Sequence, residues 1–251
     1  MRQETVATEF EVTGFAKYYR ELSDSFIDIN GAATSIKNHI AKGTRIFEIG
    51  LGVGYFAEQF LDDGYIVRGI QPPFPDTMLM PLKRDHPSLI LAEKKLEDYT
   101  FDSQHDVIVC HSSVFLFTRV KDGVYSGASS IDSPIFQSMI SKLLAIKNLD
   151  KILLALSSSG KFFVNIQANP LPYVEVGMPD DLLKFEMRHC AYRLDVQKVE
   201  KRFAITYRGT ETISDETHFC LNYDGFRQLV ESLNGKVAIT EDGYWVVIER
   251  A

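Results

Sequence analysis

Glu48-Ile49-Gly50-Leu51-Gly52-Val53-Gly54-Tyr55-Phe56 is the stretch on which the reading of this chain turns. It closes a short strand-like run, Thr44 to Ile49, and leads straight into a helical pattern from Tyr55 to Leu61. Three glycines at alternate positions let the backbone adopt positive φ and approach a ligand closely, and the start of the helix offers free N–H groups. A dinucleotide-binding turn requires G-x-G-x-x-G; counted from Gly50, the sixth position is Tyr55. A phosphate-binding P-loop requires Gly-Lys-Ser/Thr, which does not follow. The pattern that remains is E-x-G-x-G-x-G at a strand-to-helix turn.

Working outward, strands and helices alternate. Upstream, Phe15 to Ile40 has apolar residues spaced by three and four, a helical period, with a break expected at Asn30-Gly31. Downstream, Asp62-Asp63-Gly64 ends the helix and Tyr65 to Ile70 reads as a strand. Asp76 to His86 reads as helix, Leu89 to Ala92 and Asp106 to Cys110 as strands, Pro134 to Ser157 as one or two helices, and Lys161 to Ile166 as strand. This alternation predicts βαβ units around a parallel sheet, an α/β fold. Val107-Ile108-Val109-Cys110 and Phe162-Phe163-Val164-Asn165-Ile166 suit central strands covered on both faces.

The last third changes character. Phe185 to Val196, Val199 to Tyr207 and Thr212 to Leu221 read as an antiparallel meander, followed by a helix from Asp224 to Leu233 and paired strands at Lys236 to Thr240 and Tyr244 to Glu249. The expected organisation is a helical N-terminal segment, 1–43, and an α/β domain, 44–251, with an antiparallel insertion at about 183–222. Thr118 to Ser133, and Ala168 to Asp181 with its three prolines, read as loops.

Composition narrows the partners. The chain has 251 residues, 45% hydrophobic and 24% charged, the balance of a globular protein with a substantial core. Against 27 basic residues stand 34 acidic ones, a net charge of −7, so a nucleic-acid partner held by counterion release is not expected. Cys110, Cys190 and Cys220 have no C-x-x-C spacing, and neither a disulfide framework nor a metal site is suggested. No apolar run reaches the roughly 18 residues that span a bilayer, and Met1 to Phe10 carries acids where a signal peptide is apolar. The expectation is a cytoplasmic protein with no membrane partner.

With these residues in place, the chain resembles the class I S-adenosylmethionine (SAM) dependent methyltransferases of the small-molecule type, in order over about Thr44 to Phe163. The resemblance implies a Rossmann-like, seven-stranded, mostly parallel sheet with helices on both faces and SAM as cofactor. Glu48, Gly50, Leu51, Gly52, Gly54 and Tyr55 would form the turn against the methionine and ribose portions. The acid that usually ends the second strand and binds both ribose hydroxyls is here Gln71, followed by Pro72, a departure that removes the charge from that contact. Leu96 and Glu97 would meet the adenine edge, with Lys95 where an aspartate is common. His111 and Ser112 would follow the fourth strand under the methyl group, and Ser157 to Gly160 would be the turn before the fifth.

In-line methyl transfer asks the protein to position a nucleophile and, where needed, take its proton. The resemblance places Tyr18 and Tyr19 in an N-terminal lid, and helix packing is their alternative role. His111 is the candidate base or orienting group, with a cofactor contact or a strand cap as the alternative. His189 and His218 read as packing residues of the meander. From Lys184 to Arg208 seven basic residues face three acids, which reads as a solvated strand face or as a wall taking an anionic substrate group. The function implied is methyl transfer to nitrogen or oxygen, more than carbon, of a small molecule. Transfer of another part of SAM, and a catalytically silent subunit, are the alternatives. The assembly, monomer or homodimer, stays open.

Overall fold

The structure is a computed structural model that describes residues 28–52, 54–71, 82–111, 118–121, 124–125, 147–164, 173–178, 181–191, 196–207, 209–221, 223–243 and 245–251. In chain order the elements are α1 (Ile29–Lys37), β1 (Arg45–Ile49), α2 (Tyr55–Leu61), β2 (Ile66–Gln71), β3 (Ile90–Glu93) and β4 (His105–Cys110). Then come β5 (Thr118–Lys121), β6 (Val124–Tyr125), α3 (147–155), β7 (Leu156–Val164), β8 (Tyr173–Met178) and β9 (Asp181–Ala191). The chain closes with β10 (Val196–Tyr207), β11 (Thr210–Leu221), α4 (Tyr223–Ser232), β12 (Gly235–Ile239) and β13 (Val246–Arg250).

Seven strands form one sheet in the order β12-β13-β7-β4-β1-β2-β3. β1 lies parallel to β2 on one side and to β4 on the other, and β13 enters antiparallel to β7. Because a strand alternates its side chains, neighbours along β1 go to opposite faces. Ile46 packs with α1 and α2 residues such as Ala32, Ile36, Phe56 and Phe60. Phe47 and Ile49 pack with Leu149, Ile152 and Leu153 of α3 and Phe226 of α4. Each large apolar side chain so buried contributes about 1.5–3 kcal/mol, which holds the helices to the two faces. The seven-stranded, mostly parallel sheet with an antiparallel last pair agrees with the expectation from sequence.

The order reverses direction between β1 and β4. In an open α/β sheet the crevice beyond the strands' carboxyl ends at such a switch point is where a ligand fits. The glycine turn follows β1 there, and His111 follows β4.

Three expectations need correction. The helix boundary placed at Asn30-Gly31 falls at Asp28, whose Oδ1 accepts a 2.8 Å hydrogen bond from the Gly31 N–H. Asn30 and Gly31 therefore occupy the capped first turn, where glycine is no breaker. Ser157 to Gly160 is not a turn, and the preceding helix does not reach Ser157: β7 already begins at Leu156. The β4–β7 register shifts between His105 and Val107, and a Cβ on Gly160 would stand 2.7 Å from the His105 carbonyl oxygen, so the glycine serves a bulge inside the strand.

The third correction concerns the antiparallel part. β9, β10 and β11 form the expected meander, but the sheet has six strands in the order β6-β5-β11-β10-β9-β8. β8 comes from the proline-containing segment read as a loop, and β5 and β6 from the Gly- and Ser-rich one. β8 lies at the sheet edge. No helix of the described residues is long and apolar enough to cross a membrane.

Candidate functional site

All three glycines of the turn take positive φ, +76° at Gly50, +58° at Gly52 and +87° at Gly54. A side chain at any of them would be strained. The turn is fastened from below, since the N–H groups of Gly50 and Leu51 both donate to the Ile70 carbonyl, at 2.9 and 3.2 Å. Gly54 has a second reason to lack a side chain, because its Cβ would lie 2.1 Å from Leu82 Cδ2. From Gly54 the chain turns directly into α2, with Tyr55 as its first residue.

Gln71, at the end of β2, is buried and reaches the turn. Its Oε1 accepts the Gly52 N–H at 2.7 Å. One lone pair of the amide oxygen is thus committed to the turn, and its second lone pair and the NH2 are left for a ligand. Glu48 shares the Ile46 face of β1 and is 2% exposed; burial pushes its carboxyl well above the usual range. A cationic ligand group beside it would return the charge to this carboxylate.

Leu96 and Glu97 form a short 3-10 turn, Leu96–Asp98, after β3. Leu96 is buried in the core and Glu97 is exposed. α3 grips this turn through two residues, Lys151 and Asn148, that belong to no motif legible in the sequence. Lys151 Nζ donates to the carbonyls of Leu96, Glu97 and Tyr99 at 2.8, 3.0 and 3.0 Å, and Asn148 Nδ2 donates to Glu97 Oε1 at 3.4 Å. Asn148 is fully buried.

His111 stacks on Phe56 with ring centroids 4.5 Å apart and lies 6.0 Å from Trp245. Its Nε2 is buried with no hydrogen-bond partner, and burial lowers its pKa from 6.5 to about 4. The ring is neutral at physiological pH and a weak base, better suited to orienting a ligand than to taking its proton. Trp245 was not foreseen; it is 1% exposed and donates its indole N–H to the Ala32 carbonyl at 2.9 Å, tying the C-terminal strand to α1.

The structure therefore brings Glu48, Gly50, Leu51, Gly52, Gly54, Tyr55, Gln71 and His111 to the carboxyl edge of β1, β2 and β4, with Leu96 and Glu97 after neighbouring β3. Tyr18, Tyr19, Pro72 and Ser112 lie outside the described residues. His189 and His218 stand in one cross-strand row with Val199 between them. In the basic strands, Arg202 is in register with Glu186 and Asp215, and its Nε is 3.7 Å from Asp215 Oδ1, so part of that positive charge is met across the sheet. Among the described residues no group of three His, Cys, Asp or Glu side chains is placed to hold a metal ion.

No protein-family model matches the chain, and no curated protein sequence matches it. Solved structures do. A SAM-bound amino pentose methyltransferase from Micromonospora echinaspora involved in calicheamicin biosynthesis matches at TM-score 0.63 and 13% identity, over 94% of this chain and 96% of that one. A sugar N-methyltransferase from Streptoalloteichus sp ATCC 53650 matches at TM-score 0.63 and 9% identity, over 100% and 98%. A SAM-dependent methyltransferase from Clostridium acetobutylicum ATCC 824 matches at TM-score 0.61 and 12% identity, over 94% and 98%. The chain has the fold of the class I SAM-dependent methyltransferases.

Proposed function

We propose that the protein is a SAM-dependent methyltransferase acting on a small molecule. The observation that carries this reading is the turn of three positive-φ glycines at the sheet's switch point, with buried Glu48 beneath it. The residues fit SAM on two counts. The turn exposes glycine backbone where a thin amino-acid chain has to pass, and Glu48 is a buried carboxyl group with no cationic partner among the described residues, as the amino group of SAM requires. Leu96 and Glu97 would meet the adenine, and Tyr55 and Gln71 the ribose side.

When bound, SAM supplies a methyl group on a positively charged sulfur. The chain's own residues then hold the acceptor in line and keep water away. Neutral His111, clustered with Phe56 and Trp245 and with an unmet Nε2, is proposed to hydrogen-bond the acceptor and set its direction. Tyr18 and Tyr19 are proposed to close over it. The six-stranded sheet is proposed as a wall of the acceptor site, since the chain leaves for it after β4 and again after β7. One of the similar structures is named a sugar N-methyltransferase and another an amino pentose methyltransferase, and the first of these names supports nitrogen as the accepting atom.

Calorimetric titration with SAM and with S-adenosylhomocysteine (SAH) tests the site. Micromolar binding of both, lost in Gly52→Arg, is the expected result, because the arginine side chain would fill the turn. Wild-type protein that binds neither compound overturns the reading.

A further inference from the structure

We infer that Lys151, together with Asn148, is a positioning residue that shapes the 96–99 turn to select adenine over other bases, an inference that rests on the SAM reading of the site. Lys151 sends one ammonium to three carbonyls that lie 52 to 55 residues away in sequence. Three donors meet three acceptors at 2.8 to 3.0 Å, so the whole hydrogen-bonding capacity of the side chain is spent on one turn. A surface lysine rarely gives up its hydration for a purely local contact.

Asn148 stands one helical turn earlier on α3, at the i, i+3 spacing that puts both side chains on one face. It donates to Glu97 Oε1, so the backbone of the turn and one of its two exposed carboxylates, Glu97 and not Asp98, are held from the same helix. Asn148 Oδ1 is buried without a partner, a cost that a helix contact serving packing alone would not carry. Leu96, anchored in the core below, completes the support.

The base chemistry follows from what the turn presents. Adenine donates from N6 and accepts at N1, whereas hypoxanthine accepts at O6 and donates from N1. A fixed Glu97 carboxylate accepts the N6 hydrogen of adenine and faces the O6 lone pairs of hypoxanthine. A carboxylate free to swing would lose that discrimination, because it would relax away from the wrong base. Fixing Glu97 is therefore worth more in selectivity than in affinity.

The test compares SAH with S-inosylhomocysteine by calorimetry in wild type, Lys151→Met and Lys151→Arg, with thermal unfolding of each. Wild type is expected to prefer the adenosyl compound by about tenfold or more, the value of one well-placed hydrogen bond. Lys151→Met should bring the ratio close to one, and Lys151→Arg, which still carries several N–H donors, should restore most of it. If Lys151→Met does not fold, Lys151→Gln, with two donors, takes its place and should show an intermediate ratio. A methionine or glutamine variant that keeps the wild-type ratio, whatever its stability, overturns the positioning role. Wild type that binds neither compound overturns the SAM reading itself, and wild type that binds both equally overturns the adenine selection while leaving SAM binding intact.

Discussion

At the scale of single residues, Gln71 departs furthest from the family pattern and yet has a defined task. The Gly52 N–H is held at positive φ and needs an acceptor, and the amide carbonyl provides it at 2.7 Å. Gln71→Leu removes that acceptor and leaves a peptide N–H unmet, a loss of about 1–3 kcal/mol that the turn has to bear. SAH binding should weaken by about tenfold or more. Gln71→Glu keeps an acceptor for Gly52 and offers a second oxygen to the ribose hydroxyls, so binding should tighten several-fold. Calorimetry that finds both variants equal to wild type would remove Gln71 from the site. The glycines could be read from sequence because no other residue suits positive φ. The Gln71 contact could not, because it joins a turn to the end of a different strand.

His111 carries the pH dependence at the same scale. Its pKa in the folded chain is about 4, below the ordinary 6.5, so the folded state binds this proton less readily than the unfolded state does. The associated stability is fully present above about 6.5 and is lost as pH falls through about 4, a contribution of about 3 kcal/mol at most. His105, whose pKa is also lowered, acts in the same direction. His111→Phe keeps the stacked ring and removes the titration, so its urea midpoint should decline less than that of wild type between pH 6.5 and 4. Parallel decline in both proteins would show that His111 does not titrate in the folded chain as its burial implies.

Among elements, the legible ones are those where local pattern and tertiary setting agree. α2 spans Tyr55–Leu61 as its periodicity predicts, and β1, β4, β12 and β13 fall within two residues of their expected places. β5, β6 and β8 lie in stretches of loop-like composition, and β5 and β6 are two to four residues long, so nothing local marks them; β5 joins the larger sheet through a distant partner, Val120 opposite Thr217. β7 was misread at its start because Ser157 to Gly160 has turn composition, while the bulge against His105 was invisible in sequence. Trp245 was missed for the same reason: its indole donates to Ala32, at the far end of the chain. Trp245→Phe removes the second donor from that carbonyl, which keeps its helical partner, and leaves a gap beside Phe56, so it should cost about 1–3 kcal/mol by denaturant unfolding. A loss under about 0.5 kcal/mol, the usual range for an indifferent surface site, would show that α1 is not held there.

For the whole molecule, topology separates two tasks. The proposed cofactor contacts from Glu48 to His111 all belong to the seven-stranded sheet, between the ends of β1 and β4. The six-stranded sheet is assembled from two excursions, one after β4 and one after β7, and those strands are parallel neighbours whose carboxyl ends share the ligand edge. We propose that this second sheet, which the chain enters from that edge, meets the acceptor while the cofactor is held by the first. Hydrogen exchange should therefore respond in two stages. SAH alone should slow exchange at residues 48–55, 71, 96–99 and 111 beyond the uniform slowing, up to about 100-fold, that a ligand at 100 times its Kd gives amides exchanging by global unfolding, while β9, β10 and β11 show that uniform slowing alone. Strand-specific protection of the six-stranded sheet should arise only when a methyl acceptor is added to the SAH complex. Protection of β9 to β11 by SAH alone, as strong as that of the glycine turn, would mean that the cofactor itself is clasped by both sheets and that the acceptor has to enter elsewhere.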